Sequence, residues 1–301
     1  MRNNNRAVIR KISGKSLKNN RMRNIFAVLA IILTGMLFTS VFSLCSGMIQ
    51  VAQEQTMREV GGKFHAGLKR ATEEQYERIS SDPSVKRCSY DIFLGYAENV
   101  MKRQAELRYI PDEKDLEDYF IILEEGRLPM EEDEIVVDTI VMDEFQLPHK
   151  VGEKIQLSFY FCGEFIEKEF TVSGWYEGDY VSHASELFLS EAFWRELRGE
   201  RTDAYFLDWY ETHPEYGGVG LRQINLFFSN TSKLEEKVCT VIENAGYVPG
   251  TELDYGVNWA YMQSRLESVD PLTYVFLGAA VIVILIAGYL IIYNIFQISV
   301  V

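Results

Sequence analysis

Two stretches of this chain contain no Asp, Glu, Lys, Arg or His: Asn24 to Gln53, and Pro271 to Val301. A helix rises about 1.5 Å per residue and the hydrocarbon core of a bilayer is about 30 Å thick, so each run is long enough to span it. A third absence is one-sided. Residues 1–23 hold eight basic side chains (Arg2, Arg6, Arg10, Lys11, Lys15, Lys18, Arg21, Arg23) and no acid. All 44 acidic residues fall between Glu54 and Asp270, where 22 basic residues remain (30 minus 8), which gives that segment a formal charge of −22 (22 minus 44).

Lys and Arg beside a membrane helix are retained on the cytoplasmic side, so the N-terminus is predicted inside and the acidic middle outside. An acidic outer surface repels phosphates and excludes nucleic acid as its partner. The basic lead is suited to the bilayer: Val8, Ile9 and Ile12 share a helical face with Arg6, Arg10, Lys11 and Lys18 around it, the pattern of a surface-lying amphipathic helix near anionic lipid. A cleaved signal peptide also begins with basic residues, but its apolar region is only about 7–15 residues long. Cys45-Ser46-Gly47 resembles a lipoprotein site only loosely, since Phe42 is a poor fit. A retained helix is the expectation.

Cysteine is scarce, with Cys45 in the first apolar run and Cys88, Cys162 and Cys239 beyond it. Three outer cysteines cannot all pair with one another, and their wide spacing is not a disulfide framework. They are expected as small buried hydrophobes, with a single bridge left open. Catalytic motifs are missing too. Gly14-Lys15-Ser16 lacks the earlier glycine of a phosphate loop, because Ile9 stands there. His65, His149, His183 and His213 show no metal-ligand spacing. The run Glu131-Glu132-Asp133-Glu134 lacks the alternation of a calcium loop, and there is no Gly-x-Ser-x-Gly. No enzyme, metal or cofactor is expected in this chain.

What is present is an ordered series of local signals. Gly35, Thr39, Ser43 and Gly47 recur every fourth residue as a stripe of small side chains that would admit a partner helix closely. Near the other end, Asn294 and Gln297 are suited either to bonds across helices or to headgroup depth, where Tyr289 and Tyr293 also fit. The first helix is predicted to run on to Val60 and stop at Gly61-Gly62. Thr72 and Gln75 form a capping box, Asp138 and Ser190 are helix caps, and Ser232 is expected to open a helix over Lys233 to Ala245. Strands are predicted over Lys63–Arg70, Lys86–Tyr96, Val100–Ile110, Glu134–Val137, Leu187–Leu189, Ala204–Trp209 and Ile224–Phe228. Lys154–Phe161 and Phe165–Trp175 read as a hairpin through Cys162-Gly163. The fold class is thus a membrane protein: two transmembrane α-helices (24–49 and 271–301) flank a mixed α+β outer domain (50–270), of one or two lobes, behind the basic segment 1–23.

In this order the chain resembles the first half of an FtsX-like, MacB-type ABC transporter permease. The resemblance rests on Lys15-Ser16-Leu17-Lys18-Asn19-Asn20 before the first membrane helix, then Glu125-Gly126-Arg127-Leu128-Pro129, Glu134-Ile135-Val136-Val137, Val151-Gly152-Glu153-Lys154-Ile155 and Phe170-Thr171-Val172-Ser173-Gly174. Its most specific piece runs from Gly288 to Val300, including Tyr293, Asn294, Gln297 and Ser299. That piece is similar to the helix that opens the family's permease core, especially in Gram-positive members. The resemblance implies a cell-membrane permease that pairs with a second permease, identical or not, and with a cytoplasmic ABC ATPase holding ATP and Mg. Closure of that ATPase would move the outer domain, in export, extraction or mechanotransmission of antimicrobial peptides, toxins or lipoproteins. The family has further helices after this point, so a fragment is implied. A two-helix sensor with a ligand-binding outer domain is the alternative, followed by a polysaccharide chain-length regulator and an ectoenzyme.

Overall fold

The computed structural model describes residue 15, residues 21–259 and residues 271–297; the predicted amphipathic lead falls almost wholly outside them, as does Ser299. The chain forms two compact units, residues 1–52 with 264–301, and residues 53–263.

The first helix, α1, spans Arg21–Val60. Its segment Val28–Glu59 is, among the described residues, the one helical stretch long and apolar enough to cross a membrane. It ends as the glycine pair predicts. Gly61 takes φ +95°, and the N–H groups of Gly61 and Gly62 return to the carbonyls of Arg58 (3.2 Å) and Met57 (3.0 Å). These are the two bonds of a Schellman cap, which needs a left-handed residue after the last helical turn.

The second unit then runs β1 (Ala66–Ala71), α2 (Glu73–Ser80), β2 (Val85–Tyr96), β3 (Gln104–Tyr109), a 3-10 strap (Glu113–Tyr119), β4 (Leu123–Gly126), β5 (Glu134–Asp138), α3 (Thr139–Glu144), β6 (Lys154–Phe161), β7 (Glu164–Tyr176) and β8 (Ala184–Leu189). It continues through α4 (Glu191–Arg198), α5 (Asp203–Thr212), β9 (Arg222–Phe228), α6 (Leu234–Asn244) and β10 (Asp254–Val257). The last described helix, α7, is Pro271–Gln297, with Gly278–Leu290 as its shorter apolar stretch.

Ten strands form one sheet in the order β10-β1-β9-β2-β3-β8-β5-β7-β4, with β6 paired to β7. The β3–β8 and β5–β7 pairs are parallel and the others antiparallel. The long strand β2 belongs to two layers. On one side, β1, β9 and β10 carry α2 and α6, whose Ile79, Leu234, Val238 and Val241 cover Ala66, Leu68, Ile224 and Leu226. On the other, β2-β3-β8-β5-β7-β6 curls until Phe159 bridges to Ala97 and Glu98 donates to the Ser158 carbonyl (2.7 Å). The curl closes a small barrel. Its interior takes alternate residues, as a strand's period of two requires: Leu107, Leu187, Ile135, Val172, Leu157 and Phe159. The aromatic side chains of Phe193, Trp194 and Phe206 pack against the same core.

Local signals survive where they are self-sufficient. Thr72 accepts from Gln75 N–H while the Gln75 side chain caps the Thr72 N–H, and Asp138 and Ser190 accept from Val141 and Phe193. Cys162 and Gly163 both have positive φ (47° and 79°), the mirror-image turn suited to a two-residue hairpin. Two expectations are corrected. Ala204–Trp209 is not a strand but the middle of α5, capped by Thr202. Its β-favouring aromatics are overridden by burial of Phe206 against Phe161 and Trp194. The cap of α6 is Lys233 in a left-handed conformation, not Ser232. Cys88, Cys162 and Cys239 are free thiols, half-buried.

Core packing outweighs capping in this domain. Phe159→Ala is expected to lower stability by roughly 3–5 kcal/mol, against about 1 kcal/mol for Thr72→Ala, as read from denaturant unfolding of the two variants.

Candidate coupling site

Three groups of residues hold the end of α1 within the unit of residues 53–263. Arg58, one turn before the cap, places Nη1 2.7 Å from Asp179 Oδ2 and Nη2 2.7 Å from Glu54 Oε1. Its guanidinium lies 4.6 Å from the ring centroid of Phe120, and Lys63 Nζ lies at the same distance from that ring. Phe120 takes φ +61°, which ends the strap and projects its ring towards these two cations. A cleft of 440 Å³ beside the joint is lined by Arg58, Phe120, Ile122, Glu177 and Asp179.

The strap is the middle piece, with its last two residues bound to different partners. The Asp118 carbonyl accepts from Lys63 N–H (2.7 Å), and its carboxylate pairs with Arg87. Tyr119 donates to Asp91 Oδ2 (2.5 Å) and accepts from Asn225 Nδ2 (2.7 Å). Gly62 is required where the chain passes the strap, because a Cβ there would collide with the Phe64 ring and come 3.1 Å from the Asp118 carbonyl.

The third group is the return path. β10 is the antiparallel neighbour of β1, with Val257 opposite Ala66. Buried Asn258, the next residue, donates to the carbonyls of Gly62 (3.1 Å) and Phe64 (2.9 Å), and its own N–H binds the His65 carbonyl (2.9 Å). The strand entered after α1 and the strand left before residue 260 are therefore cross-tied neighbours.

Beneath the strap, Arg108 is buried on the outer face of the barrel wall. Its Nη1 pairs with Asp91 and its Nη2 with Glu106, while its Nε lies 2.5 Å from Glu186 Oε2. Burial works against the Arg108 charge, and the carboxylates of Asp91, Glu186 and Glu106 outweigh it, so its pKa lies well above the ordinary value. Burial pushes the Tyr119 hydroxyl upward, and the neighbouring Asp91 adds to the rise.

The residues quoted for the family resemblance converge at a different point. Arg127 grips Glu134 with two nitrogens (2.8 and 2.7 Å). Gly126 pairs with Gly174 across β4 and β7, and a Cβ on Gly174 would come 2.8 Å from the Arg127 carbonyl. Gly152 N–H donates to Val172 and Val172 N–H to Glu153, both at 2.8 Å. Motifs separated in sequence thus form one packed corner, in which Gly126 and Gly174 admit a neighbouring strand, while Gly152 has no close neighbour and supplies a positive φ of 88°.

In the helices, Gly35, Thr39, Ser43 and Gly47 lie on the exposed side of α1, and no atom lies within 4 Å of a Cβ built on Gly35 or Gly47. Thr39 bonds back to the Gly35 carbonyl at 3.0 Å. The half-buried side of α1 is instead Ala30, Thr34, Phe38, Val41 and Cys45. Gly288 of α7 is buried, and a Cβ there would come 2.8 Å from Thr34 Cγ2. Tyr293 is exposed and stacks on Tyr289 at 5.9 Å. Asn294 and Gln297 lie within α7, and their side chains fall outside the described set. Sequence reasoning missed the joint and the Arg108 cluster. The available signal was a lone charge inside an apolar strand, as at Asp91 before Ile92-Phe93-Leu94 and at Arg108 between Leu107 and Tyr109.

No family model and no curated protein matches the chain. Among solved structures, the chain is similar to the periplasmic region of MacB from Actinobacillus actinomycetemcomitans, at 12% identity and a TM-score of 0.40 over 70% of this chain and 96% of that one. It is also similar to the extracellular domain of the noncanonic ABC-type transporter YknZ from Gram-positive bacteria (11% identity, TM-score 0.37, 65% and 99% covered). A domain of a permease protein from Porphyromonas gingivalis gives 10% identity and a TM-score of 0.37, with 64% and 91% covered.

Two tests follow from the geometry. Asn258→Ala takes the side-chain donor from one buried and one part-buried carbonyl and is expected to cost about 1–3 kcal/mol. Arg58→Met breaks a part-exposed ion pair and is expected to cost about 1 kcal/mol or less. The order of the two losses in denaturant unfolding checks which tie dominates. In the corner, the side-chain bond from Arg127 holds the Glu134 carboxyl down at about 2, helped by the N–H groups of Met130 and Glu131. A depressed carboxyl stabilises the fold above its ordinary 4.5, and that contribution is lost as the pH falls towards 2. Glu134→Gln should flatten this part of the acid unfolding curve.

Proposed function

We propose that the chain is a permease subunit of an ABC transporter, lodged in the cell membrane through its two apolar helices. The acidic unit lies outside, and the basic N-terminal segment lies in the cytoplasm. The observation that carries this reading is the cross-tie of β1 and β10 through Asn258, beside the Arg58 joint. A body that enters and leaves by adjacent, bonded strands follows displacement of its helices as one piece. That is the requirement for mechanical coupling; an independent ligand-binding module needs no such tie.

The ordered motifs support the same reading, because the residues that resemble the family form one structural corner instead of scattering over the surface. In the proposed machine, ATP and Mg sit on a separate cytoplasmic ATPase chain, and this chain contributes no catalytic group. Gly288 seats α7 against Thr34 of α1, while the Gly35, Thr39, Ser43, Gly47 side of α1 is left for the second permease of the pair. Closure of the ATPase pair shifts the helices, and the joint carries the shift to the outer unit. The transported or extracted material belongs to the peptide, toxin or lipoprotein classes.

The test is co-purification of the full-length protein with the ATPase encoded beside it, in lipid nanodiscs. The complex is expected to form, and Gly47→Leu is expected to change its ATPase rate by weakening permease pairing. Arg58→Met should leave assembly intact while altering how the rate responds to the outer domain. Failure to bind any ATPase, or a kinase module following the last helix, would overturn the reading in favour of a sensor.

A further inference from the structure

The Arg108 cluster holds three carboxyl groups around one guanidinium, and the three are not equivalent. Asp91 accepts from Arg108 Nη1 and from the Tyr119 hydroxyl. Glu106 accepts from Arg108 Nη2 and from Gln104 Nε2 (3.1 Å). Glu186 is held differently: its Oε2 forms an ion pair with Arg108 Nε at 2.5 Å, and neither of these two buried atoms has a further hydrogen-bond partner. One guanidinium offsets only one negative charge, so three ionised carboxylates here would leave an excess of negative charge out of water, which a proton on Glu186 relieves.

We propose that Glu186 is a proton-binding site of the outer domain, and that losing its proton loosens the strap and the Arg58 joint above it. The position supports both halves of the statement. Glu186 lies on β8, where its backbone N–H and carbonyl bond the Tyr176 hydroxyl (3.2 and 2.8 Å). The segment from Tyr176 onward carries Asp179, the partner of Arg58. A cavity of 40 Å³ touches Glu186, Tyr119, Tyr176, Asp179 and Arg58 together, enough room for one water.

The groups that face the site are Asp91 and Tyr96 on β2, Glu106 and Arg108 on β3, Tyr119 on the strap and Tyr176 on β7. Across the small cavity stand Arg58, Glu177 and Asp179. Burial pushes the Glu186 carboxyl up, to about 8; Arg108 opposes the rise and Glu106 and Asp91 add to it. For a carboxyl raised in the folded state, the stabilisation is complete below its ordinary 4.5 and is lost as pH rises towards 8. This inference concerns the outer domain and does not depend on the transport reading.

The experiment is hydrogen exchange of the strap peptide 113–121 in the full-length protein in lipid nanodiscs, corrected for the intrinsic pH dependence of exchange. Opening of the strap is expected to increase by up to about tenfold per pH unit from about pH 5 and to level off above about pH 8. Glu186→Gln, which stays neutral, should remove that dependence. The same slope in Glu186→Gln, or no slope in the wild type, overturns the proposal. If Glu186→Gln does not fold, the infrared carbonyl stretch of a protonated carboxyl in the wild-type protein decides. Its presence at neutral pH and loss above about pH 8 supports the site, and its absence at neutral pH overturns it.

Discussion

A guanidinium removed from water costs several kcal/mol unless every face of it meets an acceptor or an opposite charge. In this protein that requirement falls on Arg108, and meeting it fixes the positions of β2, β3 and β8 at once, since each supplies a carboxyl. Asp91 in turn orients Tyr119, Tyr119 holds the strap, and the strap sets Phe120 beneath Arg58. The chain of contacts leads from the barrel wall to the last turn of the long helix. A change of charge in the wall therefore acts on the same few residues that hold the last turn of the helix.

The two layers of the sheet have different stiffness for a physical reason. The barrel half is closed on itself and filled with aromatic side chains, so a displacement there must move a packed core. The β1–β9–β10 half is an open sheet with helices on it, and it carries both chain connections. β2 spans the two, with Tyr90 packed against both cores.

The sequence was most readable where an element is defined by its own residues. The Thr72–Gln75 box, the Asp138 and Ser190 caps and the Gly61-Gly62 stop need no distant partner, and each forms as expected. Ala204–Trp209 was misread because aromatic residues favour strands locally, while the deciding contact of Phe206 comes from Phe161, far away in the chain. The coupling site was illegible for the same reason in stronger form. Its parts come from residues 58, 62, 108, 119, 179, 186 and 258, and no spacing rule links them. The small-residue stripe was readable as a pattern, but which side of α1 meets α7 depends on Thr34 and Gly288.

The strands at the ends of the sheet, β4 and β10, are each only four residues long, and β6 is bridged back to the residue after β2. Long, unpaired strand edges are templates on which other chains add by backbone bonding. At these two ends the domain offers only a four-residue edge for a passing extended peptide to zip onto.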